Sequence, residues 1–229
     1  MGKFILGIET ATKMCSVAIS DGENLLAIKE EGGEYSHAEK LNGFIESCLQ
    51  QAGINLQEID VIAVSKGPGS YTGLRIGVST AKGLCYSLNK PLISVDTLQA
   101  MALKMQAEPI KADLYAPMID ARRMEVYTAL YNFKNEKVKN VEAKIIDENS
   151  FVEELKTKHV VFFGDGAEKC KTVLAQNSNA IFSKEILPSA QFINQVALQK
   201  LNNNEFEDAA YFEPYYLKDF IATTAKKLL

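Results

Sequence analysis

The chain has little of what metal and covalent chemistry need. Its 229 residues include only two histidines, His37 and His159, far apart in sequence. Neither has a second histidine at helical spacing, because the position four after His37 is Leu41. No CxxC pair occurs, so a metal site would rest on carboxylates almost alone, and the order of Asp and Glu suggests no such cluster. No metal site is therefore expected, and His37 reads as a polar or capping residue near a helix start, while a Ser-His-Asp or Cys-His site stays open because such groups meet in space and not in sequence. The cysteines, Cys15, Cys48, Cys85 and Cys170, are scattered, each within an apolar segment. That is the pattern of small buried hydrophobes in a reducing compartment, not of a disulfide framework. No nucleophile-elbow pattern appears either.

Long apolar runs and dense positive charge are also missing. No stretch approaches the roughly 20 residues that cross a bilayer. The opening, MGKFILGIETATKMCSVAIS, lacks the long apolar region and small-residue cleavage site of a signal peptide. A net charge of −4 without a Lys/Arg run argues against the chain clamping nucleic acid by itself. The expectation is a cytoplasmic chain that does not touch the membrane. A hydrophobic content of 47% with 24% charged residues fits a packed globular protein and not a disordered one. The length allows one large domain or two small lobes.

What is present is a change of period along the chain. Phe4, Leu6 and Ile8 alternate, as do Cys15, Val17 and Ile19, and a third run starts at Leu25, with the Asp-Gly turn signal between the second and third. An antiparallel three-stranded opening follows. Leu41, Phe44, Ile45, Cys48 and Leu49 then recur at three- and four-residue steps, which predicts an amphipathic helix over 36–52, with Ser36 as its cap and Gly53 as its stop. A buried strand at Ile59–Val64 and a helix over 72–88 come next, then a strand at Pro91–Val95 and a third helix capped by Asp96 or Thr97. From about residue 112 the rhythm restarts, with strands at 114–119, 125–132 and 138–146, a helix near 149–157 and a strand at Val160–Phe163. A helix opened by GDGAEK follows, and a last one at Ser189–Leu201. Two α/β lobes of related design are expected.

The strongest local signal is Val64 to Gly77, VSKGPGSYTGLRIG, which sets four glycines and a proline between a strand and a helix. Gly67, Gly69, Ser70 and Thr72 could receive an anion at the helix start, or simply form a tight turn. The loop is not a Walker motif, because its Gly-Lys-Ser/Thr ending is absent. In the following helix Gly73, Gly77 and Ala81 repeat every four residues, a flat face that either packs internally or meets another subunit. In DARRMEVY, Asp120 to Tyr127, the charges read as a solvated hairpin turn or as phosphate or partner contacts through Arg122, Arg123 or Glu125.

Taken in order, these segments resemble the TsaB family. GIETATKMCSVAIS is similar to the family opening, with Glu9 where Asp is usual. YSHAEKL, KGPGSYTGLRIGVSTAKGL, DARRMEVY, GDGA and PYYLK resemble its further motifs across both halves of the chain. The resemblance implies an α/β fold of two lobes, like actin-type ATPases and sugar kinases, each lobe a mixed sheet with flanking helices. It places the first lobe at 1–105 with the final segment 213–229 returning to it, and the second lobe at 106–212.

The resemblance also implies a role. TsaB proteins are paralogues of TsaD, the catalytic subunit that transfers threonylcarbamoyl to the adenosine beside the anticodon of certain tRNAs. TsaD carries a His-xxx-His metal motif, and here His37 matches its first histidine while Leu41 stands at the second. The implied function is that of a non-catalytic scaffold that binds and activates TsaD directly. The ATPase TsaE joins the complex, tRNA is met only through the complex, and the chain alone forms a homodimer. No cofactor is expected on the chain alone, a nucleotide at the TsaD interface being the one ligand left open. The implied subunit interface draws on Leu41, Ile45, Gly73, Leu74, Gly77, Val78 and Ala81. Glu9 weakens any magnesium-nucleotide role at the first hairpin. The rivals are an independent kinase or ATPase of the same superfamily, a metallo-glycoprotease and a homodimeric module without TsaD.

Overall fold

The computed structural model describes residues 2–33, 37–183 and 186–218. The opening strands are β1 (Phe4–Glu9), β2 (Met14–Asp21) and β3 (Asn24–Gly32), followed by helix α1 (His37–Ala52). Then come β4 (Val61–Gly67), α2 (Tyr71–Leu88), β5 (Leu92–Asp96) and α3 (Thr97–Gln106). The strands form one sheet in the order β3-β2-β1-β4-β5, with β1, β4 and β5 parallel and the first three strands antiparallel. The expected cap Ser36 and residues 219–229 of the expected C-terminal return lie outside the described residues.

The pleat explains why the central strands read as continuous apolar runs. Alternate residues point to opposite faces, and both faces are covered. Leu6, Ile8, Ile62 and Val64 turn to one face, where they meet Leu41, Ile45 and Cys48 of α1 and Val78, Ala81 and Cys85 of α2. Ile5, Val61, Ala63, Ile93 and Val95 turn to the other, where Ala100 of α3 and Ile193, Val196, Ala197 and Leu201 of α6 (Ala190–Asn202) cover them.

The second half repeats the plan. Strands β6 (Leu114–Asp120), β7 (Glu125–Tyr131) and β8 (Lys137–Ile145) are antiparallel, and β9 (Val160–Phe163) and β10 (Ala180–Phe182) run parallel to β6, giving the order β8-β7-β6-β9-β10. One face is closed by α4 (Val152–Leu155) and α5 (Ala167–Leu174), the other by Leu98, Met101, Ala102 and Met105 of α3. Because Ala100 serves the first sheet and its neighbours the second, α3 is shared between the lobes.

One boundary moves. The segment 106–212, expected as the second lobe, includes α6, whose apolar stripe packs on the first sheet. Beyond α6 the chain stays with that sheet: Glu207 bridges Leu92 of β5, and Lys82 of α2 donates to the carbonyls of Ala210 and Phe212. The return to the first lobe thus begins near residue 190 and not at 213. The repeating stripe of α6 is visible in the sequence, but which of two sheets it covers is not.

Candidate functional site

Between the lobes lies a cavity of about 720 Å³. Its walls come from the β1–β2 turn, the loop and first turn of α2, the β6–β7 turn and the segment 215–218. The α2 end is built from its cap. Ser70 has extended backbone and its Oγ accepts the Gly73 N–H at 3.3 Å, satisfying one of the donors a helix start leaves unpaired.

The expected anion loop is partly spent on the chain itself. The Ser70 N–H donates to the Ala11 carbonyl at 2.6 Å. A Cβ at Gly69 would lie 2.2 Å from that same carbonyl oxygen, so glycine is required by the close approach. Gly69, Ser70 and Thr72 line the cavity. Gly67 does not. Its φ is +113°, and its missing side chain leaves room for the Tyr215 carbonyl, while the Tyr215 N–H donates to Lys66 O at 2.7 Å.

Glu9, which ends β1, is fully buried and is not part of the cavity wall. Burial raises its pKa to about 7, against the Ala11 N–H, which donates to Oε1 at 2.5 Å and favours the charged form. His37 is also buried. Its Nε2 donates to the Thr12 carbonyl at 2.8 Å, tying the start of α1 to the β1–β2 turn. Leu41, one turn on, is in the apolar core.

The expected subunit interface is a correction. Leu41, Ile45, Gly73, Leu74, Gly77, Val78 and Ala81 are all buried within the chain. A Cβ on Gly73 would sit 2.1 Å from the Thr10 carbonyl oxygen, and one on Gly77 2.2 Å from Thr10 Oγ1. Thr10 Oγ1 donates to Gly73 O at 2.8 Å. The flat face of α2 therefore lets the β1–β2 turn, not another subunit, come close. The outward face of the same helix carries Thr72, Ser79, Gly83 and Tyr86 at helical spacing, all exposed. Gly83 and, on α1, Gly43 have nothing within 4 Å of an added Cβ.

The sequence did not show how the lobes are tied. Asp96, at the end of β5, holds Lys66 at 3.2 Å and Lys137 of β8 at 2.8 Å. Against the penalty of its burial, these two cations hold its carboxyl below the usual range. Lys218 pairs with Glu125 of β7, and the ring of Tyr216 lies 4.7 Å from that of Tyr71. Each of these pairs joins residues too distant in sequence for any spacing rule.

The β6–β7 turn is held in an unusual state. Arg122 and Arg123 have φ of 74° and 50°, a left-handed conformation costing about 1–2 kcal/mol per residue away from glycine. The Arg122 N–H donates to Asp120 Oδ1 at 2.7 Å, and Lys169 joins Asp120 to the Glu125 carbonyl at 2.6 and 2.7 Å.

Comparison with known proteins agrees with this architecture. The family model for TsaD, tRNA N6-adenosine threonylcarbamoyltransferase, matches residues 31–226. The tRNA threonylcarbamoyladenosine biosynthesis protein TsaB of Bacillus subtilis is 34% identical over 166 residues, 70% of each chain. The solved YeaZ of Pseudomonas aeruginosa superposes with a TM-score of 0.80 at 26% identity, covering 94% of this chain and 100% of that one. The (R)-2-hydroxyglutaryl-CoA dehydratase component A of Acidaminococcus fermentans shares the fold at 10% identity, with a TM-score of 0.52 over 91% of this chain and 99% of that one. The two-lobed fold, a mixed sheet with flanking helices in each lobe, is shared with that dehydratase component.

Proposed function

This chain belongs to the TsaB family of tRNA threonylcarbamoyladenosine biosynthesis proteins, and from that premise we propose that it is the non-catalytic scaffold subunit of the modification complex. The observation that carries the reading is the state of the β1–β2 turn. The acid at its start, Glu9, is sealed in the core. The Ser70 amide of the glycine loop is held by Ala11, and Leu41 fills the core at the position of TsaD's second metal histidine. These groups hold the lobe together and leave the transfer chemistry to TsaD.

On this reading α1 and α2 offer their outward faces to TsaD. The small residues Ser79 and Gly83 of α2 and Gly43 of α1 allow close approach of another backbone, with Tyr86 at the edge to supply apolar area. When alone, the chain pairs with a second copy through the same faces. TsaE enters through the assembled complex, and a nucleotide at the TsaD interface is the cofactor this arrangement admits. Transfer RNA meets the complex and not this subunit alone, consistent with a net charge of −4. Among the described residues no helix is long and apolar enough to cross a membrane. The site of action proposed is the cytoplasm, where tRNA is modified.

The test is size-exclusion chromatography with light scattering on the chain mixed with TsaD. A heterodimer is expected from the parent chain, and from Gly77→Ala if it remains folded. Gly83→Arg, at a position open to solvent, is expected to fold and to stay apart from TsaD. Failure of the parent to join TsaD in the presence or absence of nucleotide would sink the proposal.

A further inference from the structure

The segment that follows α6 combines acid with bare aromatic rings. Between Leu201 and Leu217 there is no Lys or Arg, while Glu205, Glu207, Asp208 and Glu213 bring four carboxylates. Among the described residues none of the four forms an ion pair. In the same segment Tyr211 is 85% exposed and Phe206 is 44% exposed. Tyr86 of α2, 92% exposed, belongs to this surface too. Lys82, one turn before it, donates to the Ala210 and Phe212 carbonyls on either side of Tyr211, at 3.1 and 2.9 Å.

The backbone under these rings is fixed. The Glu207 N–H donates to Leu92 O at 2.9 Å and its carboxylate accepts the Ser94 hydroxyl, which fastens the segment to β5. Asp208 closes the next turn by accepting the Ala210 N–H at 2.9 Å, and Ala209 and Phe212 pack against the first core. Tyr211 is thus presented outward by a turn already ordered, so little freedom is lost when a partner covers it. Carboxylates alone would mark only a solvated face. Exposed tyrosine rings on a fixed backbone are what protein interfaces collect.

Charge decides what fits. A second copy would set acid against acid across a self-complementary contact. Nucleic acid and anionic lipid are repelled for the same reason. A guanidinium answers both features, because it pairs with carboxylates and lies flat on a tyrosine face, which an ammonium does less well. The chain itself shows the second contact, with Arg75 5.6 Å over the ring of Tyr71. We propose that Phe206, Tyr211 and Tyr86, with the carboxylates of Glu205 and Glu213, form a docking surface for an arginine-rich segment of a partner protein. One arginine rests on Tyr211, and its neighbours meet Glu205 and Glu213. None of these residues lines the interlobe cavity. The proposal does not rest on the scaffold reading, since Tyr86 borders the outward face of α2 but the segment 205–213 is not part of that face.

Titration of the purified full chain with oligoarginine, and with oligolysine of equal length, tests it by backbone amide NMR at low salt. Oligoarginine is expected to bind saturably and to shift resonances of 205–213 and 82–86, and oligolysine to bind more weakly. Tyr211→Ser changes an exposed side chain, so it is expected to melt with the parent while its oligoarginine affinity falls by about two- to fivefold. The double variant Glu205→Gln, Glu213→Gln keeps the rings and is expected to fold like the parent and to weaken binding of both peptides. The proposal is overturned if oligoarginine does not bind saturably, if its shifts fall outside 205–213, or if oligolysine binds as well. It is overturned equally if either folded variant binds oligoarginine like the parent, or if the same resonances move on dilution without peptide, which would mark a second copy as the occupant.

Discussion

Two glycines six residues apart in α2 should respond to alanine in opposite directions. At Gly77 an added Cβ falls 2.2 Å from Thr10 Oγ1 and 3.5 Å from Thr10 Cβ. Thr10 is fully buried and its hydroxyl is tied to Gly73 O, so it has little freedom to yield. Overpacking of this kind costs about 1–3 kcal/mol. Displacing the hydroxyl also strands a buried polar group, at a further cost of about 1–3 kcal/mol. The better helix propensity of alanine returns about 1 kcal/mol, leaving Gly77→Ala destabilised by about 1–5 kcal/mol. Gly83 meets nothing within 4 Å, so Gly83→Ala keeps the propensity gain of about 1 kcal/mol. Urea denaturation followed by circular dichroism measures both, at a concentration where light scattering shows one species. In a thermal scan, at about 2–4 °C per kcal/mol for a chain of this size, the two melting points should part by about 4–24 °C. If Gly77→Ala is as stable as the parent, the small-residue face is not packed against the β1–β2 turn and the account of α2 fails.

Further predictions concern the charges. Glu9 holds its proton in the folded state to about pH 7, whereas in the unfolded chain it loses it near 4.5. A raised folded pKa means that stability is fullest below 4.5 and declines as pH rises to about 7, by on the order of 3 kcal/mol. Glu9→Gln should therefore match the parent near pH 4 and exceed it at pH 8, and parallel denaturation curves at the two pH values check this. Asp96 has the opposite sign. With its pKa lowered, its contribution is complete above the ordinary carboxylate range and is lost as pH falls through its folded pKa. Asp96→Ala should destabilise the chain at pH 7 by about 1–3 kcal/mol. The loss should be smaller in 1 M salt, where screening already weakens the pairs with Lys66 and Lys137.

Much of the architecture is legible in the sequence because each element declares its own period. The alternation of Phe4, Leu6 and Ile8 and the three- and four-residue steps from Leu41 to Leu49 gave strand and helix where the structure has them. The three-residue β10 was missed, since Ala180–Phe182 is too short to establish any period, and the helix near 149–157 shrank to the four residues of α4. What period cannot reveal is direction. Gly73, Gly77 and Ala81 form a flat face whether it meets a partner or the chain's own turn, and only the position of Thr10 decides between them. The same limit moved α6 to the other sheet and hid the link from Asp96 to Lys137. At the cavity, Ser70 and Thr72 were readable as a helix start. Arg122 and Arg123 were readable only as charges in a turn, because their left-handed backbone leaves no mark in the composition.

The central claim, that this chain supports the chemistry of TsaD without performing any, is tested most directly by threonylcarbamoyl transfer to tRNA. The assay would reconstitute TsaD and TsaE with the parent chain, Glu9→Gln or Gly83→Arg in turn. The account predicts parent-level transfer with Glu9→Gln and loss of transfer with Gly83→Arg. Abolition of transfer by Glu9→Gln in a folded chain, or full transfer with Gly83→Arg, would contradict it.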